Sequence, residues 1–302
     1  MNKHYQTIKE QYIYWLDTLG YSKRSVYGFG TFIRDFFNWL TAQNIHHIKH
    51  LQNSHTAQYY EYLQSRENKR RKQKGLSNSH INNHFTAIDR LIEFLHQNAM
   101  PTRLIPTNYR LYIDQHARIN NIQPLTQAEI KQLQDCIKDS FLHLNYKQRQ
   151  IKQAQLKLVF VLYYACGLRR TEGYNLTIQD IDFDHKTLFI RQGKNYKDRI
   201  IPMNKNVYKS LQDYIYNYRN QIKTNHNRLF INNTNTLLKH LKHLQSVCPI
   251  QSIKDKTLTL HLLRHSIATH LLQNGMSIEN ISRFLGHTSL STTQIYTHIA
   301  NK

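Results

Sequence analysis

The stretch LVFVLYYACGLRRTE, residues 158–172, decides how this chain folds. Its apolar run from Leu158 to Leu168 is flanked by Lys157 and Arg169. It is well short of the ~20 residues a membrane-spanning helix needs, so it predicts a buried core helix. The polar GLRRTE at its end places two arginines and a glutamate against that core. An arginine following a buried helix ordinarily caps its C-terminus or is solvated, so these six residues alone carry no function.

Outward from this helix, composition limits the partners. The chain has 302 residues, with 41 Lys plus Arg against 19 Asp plus Glu, a formal charge of +22 and a sequence pI of about 9.9. That length accommodates two domains, and that charge calls for a polyanion, nucleic acid first and anionic membrane second. Residues 1–121 hold 16 basic and 8 acidic side chains, and the remainder 25 and 11. Both halves can therefore hold phosphate, as in a protein that closes around a duplex. The N-terminal MNKHYQTIKEQY has no apolar stretch resembling a signal peptide, and Cys136, Cys166 and Cys248 form no paired framework. The expected setting is a reducing cytoplasm, at the nucleoid, without membrane attachment.

The first hundred residues read as helices. Tyr5, Ile8, Tyr12, Trp15, Leu16 and Leu19 recur at helical spacing until Gly20. Ser22 can cap a second helix with Phe29, Phe32, Ile33, Phe36 and Leu40 on its apolar face and Lys23 and Arg24 in its first turn. Cations there oppose the helix dipole unless a phosphate lies nearby. A short helix over about Thr56–Leu63, the basic loop Lys69, Arg70, Arg71, Lys72 and Lys74, and a helix capped by Ser77 and striped by Ile81, Phe85, Ile88, Leu91, Ile92 and Leu95 follow. Pro101, Pro106 and Pro124 interrupt the pattern, predicting a domain over residues 1–105, a linker over 106–123 and a second domain over 124–302. Thr126 and Glu129 form a capping-box pattern that starts the second domain. Its short runs between Ile178 and Met203 predict a small antiparallel sheet within an otherwise helical domain. The fold class is mainly α.

Three further signals lie in the second half. Gly193–Asp198, GKNYKD, reads as a turn between strands. In HLLRH, His261 and Arg264 stand three residues apart on one helix face. LGHTSLSTTQIYTH, residues 285–298, carries His287 and Tyr296, the latter one of 20 tyrosines. Individually each is ordinary. Together, Arg169, Lys194, His261, Arg264, His287 and Tyr296 stand in the order of the tyrosine recombinase (phage-integrase-like) family. The surrounding words GLRRTE, GKNYKDRIIPM, HLLRHSIATHLLQNG and LGHTSLSTTQIYTH resemble that family's boxes, and Glu172 stands where the family carries an acidic residue. Residues 20–40 and 76–95 resemble helices of its SAM-like core-binding domain, and the layout is similar to Xer-type and mobile-element-borne members.

The resemblance implies a site-specific DNA recombinase that acts in integration, excision, inversion or dimer resolution. Tyr296 would be the nucleophile, forming a 3′-phosphotyrosyl intermediate on the way to a Holliday junction. Two planar guanidiniums, Arg169 and Arg264, suit the charge that accumulates on the attacked phosphate. Lys194 would protonate the leaving 5′-oxygen, with Lys197 the nearby second choice. His261 would act as acid/base or orient the phosphate, His287 would hydrogen-bond it, and Glu172 would support the arginines. The phosphotyrosyl link conserves the bond energy, so the family needs no metal or other cofactor. Its partner would be double-stranded DNA with inverted-repeat core sites, bound as a homotetramer or as a heterotetramer with a paralogue. Lys23, Arg24, Arg70, Arg71 and Asn83 are the DNA-contact candidates of the first domain, with solvated charge as the plain alternative.

Three rivals deserve weighing. His261 and His265 have the spacing of two zinc ligands, but Leu262 stands where HExxH places glutamate, and His46 with His50 and His80 with His84 repeat the spacing elsewhere. A type IB topoisomerase has similar catalytic residues, and the Xer-like first domain argues against it. An integrase-like DNA-binding regulator without catalysis would be signalled by a lost catalytic residue, and the sequence retains all six. Six residues follow Tyr296, fewer than in Xer-like relatives, so the expectation is assembly by contacts other than tail exchange and no control by the FtsK translocase.

Overall fold

The first helix, α1 (Lys3–Thr18), starts where the Asn2 side chain accepts a hydrogen bond from Tyr5 N, and it buries Tyr5, Ile8, Tyr12 and Leu16. Helix α2 (Lys23–Ala42) is capped by Ser22, whose Oγ accepts from Ser25 N at 3.2 Å. Helices α3 (Asn53–Ser65) and α4 (Asn78–Gln97) complete the core, α4 burying all six residues of its expected stripe. Ser77 occupies the expected N-cap of α4, with no side-chain capping bond. Between α3 and α4, β1 (Glu67–Asn68) pairs antiparallel with β2 (Gln73–Lys74), so part of the expected basic loop is a short ribbon. Two buried polar contacts pin the helices together: Tyr12 Oη donates to Ala87 O at 3.1 Å, and Tyr59 Oη lies 3.1 Å from His84 Nδ1.

The computed structural model describes residues 1–68, 73–107, 109–113, 122–191, 198–287 and 293. It divides into two compact units, Met1–Asp114 and Gln115–Lys302. The first unit therefore extends beyond residue 105 into the segment expected as linker. Leu104 is fully buried in its core. Asp89 accepts from Thr107 N and Oγ1, both at 2.8 Å, and from Arg110 at 3.0 Å. Asn82 exchanges two hydrogen bonds with the Leu111 backbone. Replacing Asp89 with alanine is expected to remove about 1–2 kcal/mol of local stability and to speed tryptic cleavage after Arg110. An unchanged cleavage rate would show that these bonds do not hold the segment.

In the second unit, Thr126 and Glu129 form the expected capping box at the start of α5 (Gln127–Asp135). Helix α6 (Tyr146–Val159) continues into a wider π-helical turn over Phe160–Ala165. The apolar run that predicts the core helix is thus its C-terminal half, and the helical part stops at Ala165, short of Leu168. Helix α7 (Arg170–Asn175) follows directly. Strands β3 (Ile181–Asp182), β4 (Thr187–Ile190) and β5 (Arg199–Pro202) form an antiparallel sheet in that order. Helices α8 (Lys205–Asn217), α9 (Thr234–Val247), α10 (Gln251–Lys254), α11 (Leu260–Gln273) and α12 (Ile278–Leu285) return the chain to the core. Leu158, Val159, Phe160, Leu162 and Tyr163 lie at its centre. Among the described residues no helix is long and apolar enough to cross a membrane.

Candidate functional site

The site begins at Gly167, which sits at φ +58°, a left-handed conformation that glycine adopts without steric cost. A Cβ there would lie 2.9 Å from Leu285 Cδ2 and from Phe284 Cε1. Only glycine lets the end of α6 approach α12 this closely, and the sharp bend brings Arg169 to the N-cap of α7 with Glu172 one turn later. Gly286 ends α12 in the same way, at φ +65°. The two left-handed turns thereby aim backbone carbonyls at one place.

Those carbonyls hold the two arginines. Arg264, on α11 and 4 % exposed, donates to Gly167 O at 2.6 Å and to Leu285 O at 2.8 Å. Arg169 donates to Gly286 O and, at 2.7 Å, to Glu172 Oε1. Glu172 is itself buried and accepts from Arg169 N at 2.8 Å. Arg264 lies 4.0 Å from its other carboxylate oxygen. Each guanidinium is thus oriented by fixed acceptors before any ligand arrives, which is how donors act without reorganisation cost.

Glu172 has a further partner that the sequence analysis did not single out. Arg199, the first residue of β5, grips the carboxylate with both terminal nitrogens, at 2.9 and 2.8 Å. Its signal in the sequence was the strand period: Arg199 shares the inner face of β5 with buried Ile201, and a charge on an inner face needs a partner. Burial alone would raise the Glu172 carboxyl. The Arg199 fork and charge, with the backbone and side-chain donors of Arg169, outweigh it and hold the group at about 2.

His287 follows Gly286, and its Nδ1 lies 2.8 Å from the hydroxyl of buried Thr293. His261 sits in the first turn of α11 and is exposed, whereas Arg264 points into the protein, so the pair expected on one face differs in its access to solvent. Partial burial, then the charges of Arg264, Arg170 and Arg169, lower the pKa of His261. Burial, with smaller contributions from His261 and Arg264, pushes His265 down to about 4. Among the described residues no group of three or more His, Cys, Asp and Glu side chains is placed to hold a metal ion.

The structure thus brings Arg169, Glu172 and Arg264 into direct contact, with His287 on the turn beside them and His261 on the same helix as Arg264. Lys194, Lys197, Tyr296, Arg70 and Arg71 lie outside the described residues. Lys23, Arg24 and Asn83 are exposed on α2 and α4 of the first unit.

Residues 123–302 match the sequence profile of the phage integrase family. The chain belongs to the phage integrase family. Relatives include the tyrosine recombinase XerA of Pyrococcus horikoshii, 37 % identical over 149 residues, which are 48 % of this chain and 51 % of that protein. The tyrosine recombinase XerD of Halalkalibacterium halodurans is 40 % identical over 153 residues, 47 % of this chain and 49 % of that protein. The chain spans about half the length of the curated relatives it matches. Its fold is that of the XerH site-specific recombinase in a post-cleavage complex with palindromic difH substrate, with a TM-score of 0.69 at 20 % identity over 91 % of this chain and 76 % of that one. In this integrase-family chain, the matched segment contains all of Arg169, Glu172, Arg264 and His287.

Proposed function

We propose that this chain is a site-specific DNA recombinase that cleaves and rejoins strands through a 3′-phosphotyrosyl link to Tyr296. One observation carries this reading: Arg169 and Arg264 are held by backbone carbonyls and by Glu172, in a family whose members use two arginines to grip the phosphate under attack. In the first step the Tyr296 phenolic oxygen bonds to phosphorus and the bond to the 5′-oxygen breaks. The leaving oxygen takes a proton from Lys194, with Lys197 as second choice, and His261, kept neutral by its surroundings, accepts the phenol proton or orients the phosphate. His287 donates to a non-bridging oxygen. Attack by the 5′-hydroxyl of the partner strand reverses the step and completes the exchange through a Holliday junction. The energy of the broken bond stays in the phosphotyrosine, so the reaction consumes no nucleotide and requires no metal.

The second unit carries this chemistry, and the first serves as a core-binding module. Its exposed Lys23, Arg24 and Asn83, with Arg70 and Arg71, contact the DNA backbone. The substrate is duplex DNA with inverted-repeat core sites, bound by four protomers of this chain or of this chain and a paralogue, in the cytoplasm at the nucleoid. Incubation with a nicked suicide substrate carrying such a site tests the reading. Wild type is expected to form a covalent protein–DNA adduct and Tyr296→Phe none. DNA binding by wild type without an adduct would leave a DNA-binding regulator in place of a recombinase.

A further inference from the structure

The best-buried charge cluster of the second unit contains one arginine to which the proposed mechanism gives no task. Arg199 is 13 % exposed, and both its terminal nitrogens are engaged by Glu172. Its Nε is buried and finds no hydrogen-bond partner among the described residues. Its stem lies over Gly286: a Cβ on that glycine would come within 2.9 Å of Arg199 Cδ and 3.0 Å of Nε and Nη1. It is also the residue at which the chain re-enters the sheet, paired with Ile190, after the segment that contains Lys194.

Resting on the recombinase reading, we propose that Arg199 is a positioning residue: its fork on Glu172 and its packing on Gly286 fix the start of β5 against Arg169 and the His287 turn. Three parts of the site come from distant stretches of sequence, the GLRRTE turn, the start of β5 and the end of α12. Arg199 touches a residue of each of the other two while belonging to the third. Glu172 and Gly286 are in turn the partners of Arg169, so a displacement of Arg199 reaches Arg169 through both. A lysine can supply the charge at this place but not the planar two-point grip.

Among the described residues, the charged and titratable groups facing Glu172 are Arg169 from the start of α7, Arg199 from β5, Arg264 from α11 and the Tyr163 phenol from the π-helical turn. With Arg199 present the carboxyl is held at about 2 and stays ionised throughout any practical assay. Without it, burial drives the carboxyl upward and its charge becomes sensitive to mild acid.

Adduct formation on the nicked suicide substrate, measured from pH 5 to 8 with DNA affinity in parallel, tests the proposal. Arg199→Met is expected to slow adduct formation about 100-fold, the effect of a misplacement near 1 Å, with DNA affinity unchanged. Its rate is expected to fall further toward pH 5, while Arg199→Met combined with Glu172→Gln loses that acid dependence. Arg199→Lys is expected to recover part of the rate, and it carries the test if the methionine variant does not fold. A wild-type rate in either variant, or a loss of DNA affinity equal to the loss of rate, overturns the proposal while leaving the recombinase reading intact. Absence of an adduct from wild type overturns that reading and this inference with it.

Discussion

Glu172→Gln is expected to destabilise the second unit by about 3 kcal/mol, at the lower end of what breaking a buried ion pair costs. Glu172 is 5 % exposed and is ion-paired with Arg169 and Arg199. The neutral amide occupies the same volume but leaves these guanidiniums, with Arg264 close by, facing one another without a counter-charge. The pH dependence gives the same magnitude independently. The Glu172 carboxyl ordinarily titrates at 4.5 and is held at about 2 in the fold, a difference worth roughly 3 kcal/mol. Because the folded-state value is depressed, the stabilisation is fully present above pH 4.5 and is lost as pH falls toward 2. Urea unfolding of wild type and Glu172→Gln at a series of pH values should therefore give curves that converge across that window. Parallel curves down to pH 2 would show that Glu172 does not carry the effect.

Arg264→Ala is expected to be the more damaging change to activity. It removes a guanidinium that joins the carbonyls of Gly167 and Leu285, two left-handed turns more than a hundred residues apart in sequence. Each carbonyl left unpaired in the interior costs about 1–3 kcal/mol, so the melting temperature should fall. If Arg264 grips the phosphate, adduct formation should fall by at least about 1,000-fold, the upper range for losing one preorganised donor. Arg264→Lys should not restore the rate, since a single ammonium cannot span both carbonyls and still present a flat donor pair to phosphate. A lysine variant with wild-type cleavage would mean that Arg264 serves the fold alone.

Much of this was readable from local pattern. The stripes of α2 and α4, the capping box of Thr126 and Glu129 and the sheet between Ile178 and Met203 follow from spacing and side-chain chemistry within a few residues. Arg169, Glu172, Arg264 and His287 were legible because each sits in a short word whose order along the chain resembles a family. Arg199 was not, since its role depends on which side chain lies across from β5, and nothing adjacent in sequence says so. The attachment of residues 107–111 to the first unit was not legible for a similar reason. Prolines mark a break in helical pattern, but the bonds from Asp89 and Asn82 that hold residues 107–111 come from α4.

The sequence by itself determined a mainly helical, strongly basic chain with a short antiparallel sheet and an ordered set of arginine, lysine, histidine and tyrosine, because periodicity, capping and charge are local properties. Only the tertiary structure decided that the LVFVLYYACGLRRTE stretch ends its helix early at a left-handed glycine. It alone placed Arg169 and Arg264 on the carbonyls of that turn and of the turn ending α12. And it alone gathered three arginines around one carboxylate. A buried ion cluster is stable only when partners from separate elements meet with good geometry, and that meeting is settled by packing, which no single stretch of the chain encodes.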